Sequence, residues 1–159
     1  MSADPHRSAV YAAEDHLRGL LSRGGTIDFH GSLLDVPIER RFGDIDGVQR
    51  YLAAIREHPW GHSDIPAPQV VASRATTRAT WTEPDTIAIP QQQDWAMRES
   101  VALHEYAHHV QFHRTGTTRH DRDFCQLLLD LIDNAMGPTT ALLLRAGFTD
   151  GGVFPQSQH

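Results

Sequence analysis

Lysine is absent from this chain: all 14 basic residues among its 159 are arginines, and 20 acidic residues give a formal net charge of −6. The arginines are scattered along the sequence, so no clustered basic face is available to neutralise the phosphates of a nucleic acid. We therefore expect no nucleic-acid partner.

Cysteine and long apolar runs are also scarce. The single cysteine, Cys125, excludes an internal disulfide, so nothing points to an oxidising compartment. No run approaches the roughly 20 apolar residues that a membrane-spanning helix needs. Residues 1–10 lack the apolar centre of a secretory signal. These absences predict a cytoplasmic protein with no membrane partner, folded as one domain over residues 1–159.

Hydrophobic periodicity predicts both helices and short strands. Helices are expected over 6–23, 47–58, 94–113, 118–135 and 139–146. Strands are expected over 26–29, 33–38, 69–74, 76–81 and 86–89. The last two are separated by Glu83, Pro84 and Asp85 and favour a hairpin or a meander. This mixture predicts an α+β fold in which a small mixed sheet packs on the long helix that begins near Asp94.

The 11 histidines are the most informative residues, because the predicted long helix carries the segment HEYAH at residues 104–108. His104 and His108 lie four positions apart and project from one helix face. Two imidazoles at this spacing can both reach one Zn²⁺ at about 2.0–2.1 Å. Glu105 leans toward the same side and can accept a proton from a zinc-activated water without being a ligand. The pattern predicts a zinc site with Glu105 as general base.

A catalytic zinc site needs a third protein ligand and keeps its fourth position for water. His109 and His113 are near in sequence but lie roughly 140° and 180° around the helix from His104, so they face away from the metal. His113 is better suited to the C-terminal turn, where a positive charge complements the helix dipole.

His120 is the preferred third ligand, because residues 114–119 can turn the chain back toward the motif. Asp121 and Asp123 are its rivals. Asp121 is better placed to cap the next helix, and Asp123 could instead orient an imidazole through a hydrogen bond.

This arrangement resembles that of SprT-like and related minimal zincins. In those proteins H-E-L-x-H is followed, after a short turn, by H-G-x-x-F or H-x-x-x-F; here the second element reads from His120 to Phe124. The chain is also similar to a family of uncharacterised actinobacterial metallohydrolases of about this length. The resemblance covers about residues 69–133, within a predicted catalytic core of about 69–135.

The resemblance implies a zincin-like fold with His104, His108 and His120 as zinc ligands and Glu105 as general base. It also implies that strand 86–89 is the edge strand of the substrate cleft. We therefore expect a zinc metallopeptidase that acts on a peptide or protein substrate.

Several zincin variants are excluded by the sequence. One cysteine cannot form the zinc ribbon that often follows the SprT-like catalytic part, and the metzincin signature is absent after His108. No glutamate follows Glu105, which excludes the thermolysin-like third ligand. Two alternatives stay open, namely a hydrolase of non-peptide amides or esters and a catalytically silent, zinc-stabilised binding module. Glu105 favours an enzyme, because a structural site has no use for an uncoordinated carboxylate.

Three other features have structural interpretations. The loop containing His58, His62 and Asp64 is predicted to cap a helix and form a turn, in preference to a second metal site. Tyr106 points off the metal face and Cys125 lies beside an apolar helix position, so both are expected to be buried packing residues.

Overall fold

The computed structural model describes residues 4–155, which form a mixed α+β structure with five helices and two small sheets. The helices are α1 (Arg7–Arg23), α2 (Ile45–Glu57), α3 (Glu99–Thr115), α4 (Arg122–Met136) and α5 (Pro138–Asp150). The strands are β1 (Thr26–Phe29), β2 (Ser32–Asp35), β3 (Gln69–Ala72), β4 (Thr80–Thr82) and β5 (Thr86–Ile89). Among these residues no helix combines the length and the apolar character needed to cross a membrane.

One compact unit consists of the described residues up to Glu39 and from Arg119 onward. Its helix α5 packs against both α1 and α4. The contact with α1 is close at Gly147, where a Cβ would lie only 2.9 Å from the Cβ of Ala13. Strands β1 and β2 form an antiparallel hairpin whose turn, His30-Gly31, has positive φ at both residues (51° and 88°), as tight hairpin turns require.

The second unit is Arg40–Thr118 and contains the three-stranded sheet, α2 and α3. The strand order is β3-β5-β4, with β5 parallel to β3 and antiparallel to β4. Ile87 and Ile89 of β5 are completely buried. Helix α2 packs against β3 and helix α3 against β4, so the motif helix lies beside the β4 side of the sheet.

The position of β5 corrects one expectation. Strand 86–89 was expected to be the edge strand, but β3 pairs along one side of it and β4 along the other. The edge next to α3 is β4, where Thr80 and Thr82 are exposed. A short strand's residue pattern reports which faces are buried, whereas edge position depends on a pairing partner from elsewhere in the chain.

The start of α3 is a second correction, because the helix begins at Glu99 and not near Asp94. Arg98 is extended (φ −146°, ψ 157°) and pairs with Arg41 in an isolated β-bridge. Glu99 fixes the start of the helix through three hydrogen bonds. Its N–H donates to the carbonyl of Arg40 (3.0 Å). Its carboxylate accepts hydrogen bonds from the Arg40 N–H (3.2 Å) and from the Tyr51 hydroxyl (2.5 Å). This nonlocal pairing holds the preceding residue in an extended conformation.

Helix α4 begins at Arg122, later than the expected Thr118. The carboxylate of Asp121 accepts a hydrogen bond from the Phe124 N–H at 2.9 Å, which confirms Asp121 as the helix N-cap. The residues before the cap therefore stay outside the helix, and one of them is His120.

Candidate metal centre

The central part of α3 is buried on all sides, which fixes the positions of the motif side chains. His104 and His108 are only 5% and 8% exposed, and their ring centroids lie 4.9 Å apart with an interplanar angle of 74°. Both rings project from the same face, as the four-residue spacing predicts. A helix that is apolar around most of its circumference is buried as a core helix, and this burial restricts the rotation of both imidazoles.

Glu105 lies next to this pair and is 4% exposed. One of its carboxylate oxygens, Oε2, is 4.0 Å from Nε2 of His104. It is not part of the group of residues whose ligand atoms converge. Glu105 is therefore a buried carboxylate next to a candidate ligand and outside the group of converging donors.

His120 follows the end of α3, where Gly116 takes a left-handed conformation (φ 78°) and its N–H donates to the carbonyl of Phe112. Left-handed glycine is a common way to end a helix and redirect the chain. His120 lies in the bend just before α4, and its ring is 5.1 Å, centroid to centroid, from both Tyr11 and Phe124. The two aromatic rings restrict the orientation of the imidazole.

The three buried histidines His104, His108 and His120 each offer a ring nitrogen, and these atoms all lie within 4.8 Å of one another. Among residues 4–155 no other group of three His, Cys, Asp or Glu side chains meets this condition. Three imidazoles suit zinc, and they also suit copper, iron and nickel. The donor set therefore fits a metal ion and leaves its identity open.

Comparisons with protein-family models, curated proteins and solved structures found no match to this chain. Because no known protein supplies site residues by similarity, the candidate site is defined by geometry alone, as the three converging histidines and the neighbouring Glu105.

His109 and His113 lie away from the cluster and have other partners. Nδ1 of His109 accepts a hydrogen bond from the Trp81 indole N–H (3.2 Å), and its Nε2–H donates to the carbonyl of Pro66 (2.7 Å). Burial lowers the pKa of His109, which favours the neutral ring that these two bonds require. Nε2 of His113 donates to the carbonyl of Pro84 at 2.9 Å. These contacts are consistent with the prediction that His109 and His113 are not metal ligands.

Asp4 is a partner of His120 that the sequence does not indicate. Its Oδ2 accepts a hydrogen bond from Nδ1–H of His120 (2.8 Å), and its Oδ1 accepts one from the His120 backbone N–H (2.9 Å). The sequence offers Asp123 for orienting an imidazole, but Asp4 occupies that position at His120. The two partners are 116 positions apart, so no local pattern in the sequence could have indicated the contact.

The His58–Asp64 loop is a structural element anchored to the end of α3. His58 ends α2 and stacks on Trp60. Two nitrogens of Arg114 donate to the two carboxylate oxygens of Asp64 (2.7 and 2.8 Å), and Nδ1 of His62 accepts from the same guanidinium (3.0 Å). The hydrogen bond from Arg114 is the main reason why the pKa of Asp64 is lowered to about 2. The predicted cap and turn are confirmed.

Tyr106 and Cys125 are both fully buried, as predicted. The Tyr106 hydroxyl donates to the carbonyl of Gly61 at 2.6 Å, and burial raises the pKa of Tyr106 to about 12. Burial also raises the pKa of the Cys125 thiol to about 12, so the reactive thiolate is disfavoured at neutral pH. Neither residue belongs to the histidine cluster.

Proposed function

We propose that this protein is a zinc-dependent hydrolase, in the first instance a metallopeptidase with a zincin-like fold. One observation carries the proposal: three buried imidazoles converge within 4.8 Å, and a buried carboxylate that is not among them lies beside one of them. A purely structural zinc site has four protein ligands, whereas a catalytic site has three. The cluster of His104, His108 and His120 has three candidate protein ligands, the number found in catalytic sites.

The proposed role of each residue follows from its position. His104, His108 and His120 would hold the metal, and zinc supplies Lewis acidity that brings the pKa of a coordinated water near 7. Glu105 would accept the proton of the attacking water and return it to the leaving amine. Its burial keeps bulk water from screening the carboxylate, which strengthens its electrostatic interactions within the site.

A peptide substrate follows from the resemblance to SprT-like zincins, and the sheet beside α3 has an open strand edge. Strand β4 is an edge of its sheet, and its exposed Thr80 and Thr82 flank Trp81, which hydrogen bonds to His109 on the motif helix. An edge strand can bind a peptide by β-addition, in which main-chain hydrogen bonds supply affinity. Strand β5 has strands on both sides, so a peptide added to this sheet would pair with β4, which contacts the α3 face of His109 and not the face that carries His104 and His108.

Metal analysis combined with peptide hydrolysis tests the proposal. We expect about one zinc per chain, retained in Glu105→Gln, and a loss of activity in that variant of about 10²–10⁴-fold, the usual contribution of a general base. Glu57→Gln is the matched control, because it makes the same chemical change at an exposed position on α2, and it should keep full activity.

Three results would contradict parts of this proposal. A wild-type chain that binds no transition metal would overturn the metal centre. A chain that binds zinc but hydrolyses neither a peptide library nor amide and ester substrates would be a zinc-stabilised binding module. Hydrolysis restricted to non-peptide amides or esters would overturn the peptidase assignment alone.

A further inference from the structure

Asp4 makes two hydrogen bonds to a single residue, and that residue is a candidate metal ligand. One oxygen accepts from the His120 backbone N–H (2.9 Å) and the other from its ring Nδ1–H (2.8 Å). The Asp4 side chain is 29% exposed and that of His120 is 9% exposed. The carboxylate thus lies at the edge of the solvent while the imidazole that it holds is buried.

We infer that Asp4 is a positioning residue for the metal centre, since it fixes both the tautomer and the orientation of His120. An imidazole that donates Nδ1–H to a carboxylate keeps its Nε2 lone pair for a metal. The second bond, to the backbone N–H, fixes the main chain from which the ring extends. This inference rests on the proposed metal centre and adds a residue outside the ligand set to it.

His120 needs such support more than the other two candidate ligands do. His104 and His108 are held by the backbone of α3, in which every residue around them is helical. His120 lies in a bend outside any helix, and Asp4 is the acceptor for its backbone N–H. Removing an outer partner of a metal-binding histidine typically weakens metal affinity by about 10–100-fold, and we expect a change of that size here.

The link between the Asp4–His120 contact and metal binding must also act in the opposite direction. If Asp4 strengthens metal binding through His120, bound metal strengthens the Asp4–His120 contact by the same factor. Zinc should therefore slow hydrogen exchange at the His120 backbone amide, and this effect should be smaller when Asp4 is replaced. A role confined to packing would not link this amide to the metal.

The test measures Zn²⁺ affinity by competition with a chromophoric chelator and records the absorption spectrum of the Co²⁺-loaded protein. Asp4→Ala and Asp4→Asn should each bind zinc about 10–100-fold more weakly than the wild type. In Asp4→Asn the side-chain amide offers one acceptor oxygen in place of two, so it can satisfy only one of the two His120 donors. Asp4→Glu should recover part of the affinity, because it restores the carboxylate.

Asp44→Ala is the matched control for a loss of stability. Asp44 caps α2 by accepting a hydrogen bond from the Gly47 N–H at 2.7 Å, and losing such a cap costs about 1 kcal/mol. We expect the control to unfold at a lower temperature with its zinc affinity and Co²⁺ spectrum unchanged. The Asp4 variants should instead change both metal readouts.

The wild type alone provides a test that does not depend on folding of the variants. In the zinc-loaded protein, a long-range ¹H–¹⁵N spectrum should show the proton of His120 on Nδ1 and the metal on Nε2. The opposite arrangement, or zinc affinity within about threefold of wild type in both Asp4→Ala and Asp4→Asn, would overturn the inference and leave the metal centre intact. Absence of metal binding by the wild type would overturn the proposed function as well.

Discussion

Helix α3 carries two histidine pairs with the same spacing and nearly the same ring geometry. His104 and His108 have ring centroids 4.9 Å apart at 74°, while His109 and His113 are 4.6 Å apart at 66°. Among residues 4–155, only the first pair converges with a third ligand. In the second pair, the ring nitrogens of His109 bind Trp81 and Pro66, and His113 binds Pro84.

The comparison shows that histidines spaced four apart on a helix do not by themselves define a metal site. The surroundings decide their role. On one face, a further imidazole completes a set of three nitrogen donors. On the other face, a tryptophan indole and backbone carbonyls use the ring nitrogens for hydrogen bonds that tie α3 to the β4–β5 hairpin and to the loop after α2.

The largest difference between the pairs should appear in metal affinity. His108→Ala removes a candidate ligand and should weaken zinc binding by more than about 100-fold, since loss of an outer partner alone costs about 10–100-fold. His113→Ala removes the equivalent member of the other pair and should leave affinity unchanged. Isothermal titration with Zn²⁺ measures both variants, and equal losses in the two would show that the pairs do not differ in function.

The second pair should matter more than the first for the free energy of unfolding, and His109 is the residue at which we expect this effect. His109→Ala leaves the carbonyl of Pro66 and the indole N–H of Trp81 without this partner. Pro66 is exposed and Trp81 is half-buried, so water can replace part of what is lost, and we expect a total loss of about 1–3 kcal/mol. Trp81→Phe removes the donor but keeps most of the ring, so we expect a smaller loss of about 1 kcal/mol.

Chemical denaturation of the metal-free protein measures the free energy of unfolding of both variants. Their zinc affinity should equal that of the wild type. A His109→Ala variant as stable as the wild type would show that the hydrogen bonds to Trp81 and Pro66 do not contribute to folding.

The smallest effect on stability is expected at the ion pair between Arg114, which follows His113 in α3, and Asp64. The pKa of Asp64 is lowered from 3.8 to about 2, chiefly by the hydrogen bond from Arg114. The stabilisation from this carboxylate is therefore fully present above pH 3.8 and is lost as the pH falls through about 2. Because the pair is exposed, we expect only a slight change in stability.

A pH series of thermal unfolding for the wild type and Asp64→Asn measures this effect. The two proteins should differ most above pH 3.8 and converge at lower pH. A difference that grows as the pH falls would mean that Arg114 does not stabilise the ionised carboxylate.

Much of the fold could be predicted from the sequence because the signals are local. The helices at α1, α2 and α5 and the β4–β5 hairpin follow from apolar spacing and turn residues. The predicted strands 26–29 and 86–89 match β1 and β5, whereas 33–38 and 69–74 run past the ends of β2 and β3, and 76–81 overlaps β4 only at its first two residues. The central position of β5 and the late start of α3 could not be predicted in this way. Both depend on pairing with distant segments, β3 in one case and Arg40–Arg41 in the other.

The sequence by itself determined which residues of α3 share a face, because an α-helix advances by a fixed angle per residue. It therefore identified His104, Glu105 and His108, and it separated them from His109 and His113. Only the tertiary structure decided that His120 converges with the helix pair and that Asp4, 116 positions away, holds its ring. The reason is physical: helical periodicity is encoded in neighbouring residues, whereas a ligand set and its hydrogen-bonding partners require packing of segments that are far apart in the chain.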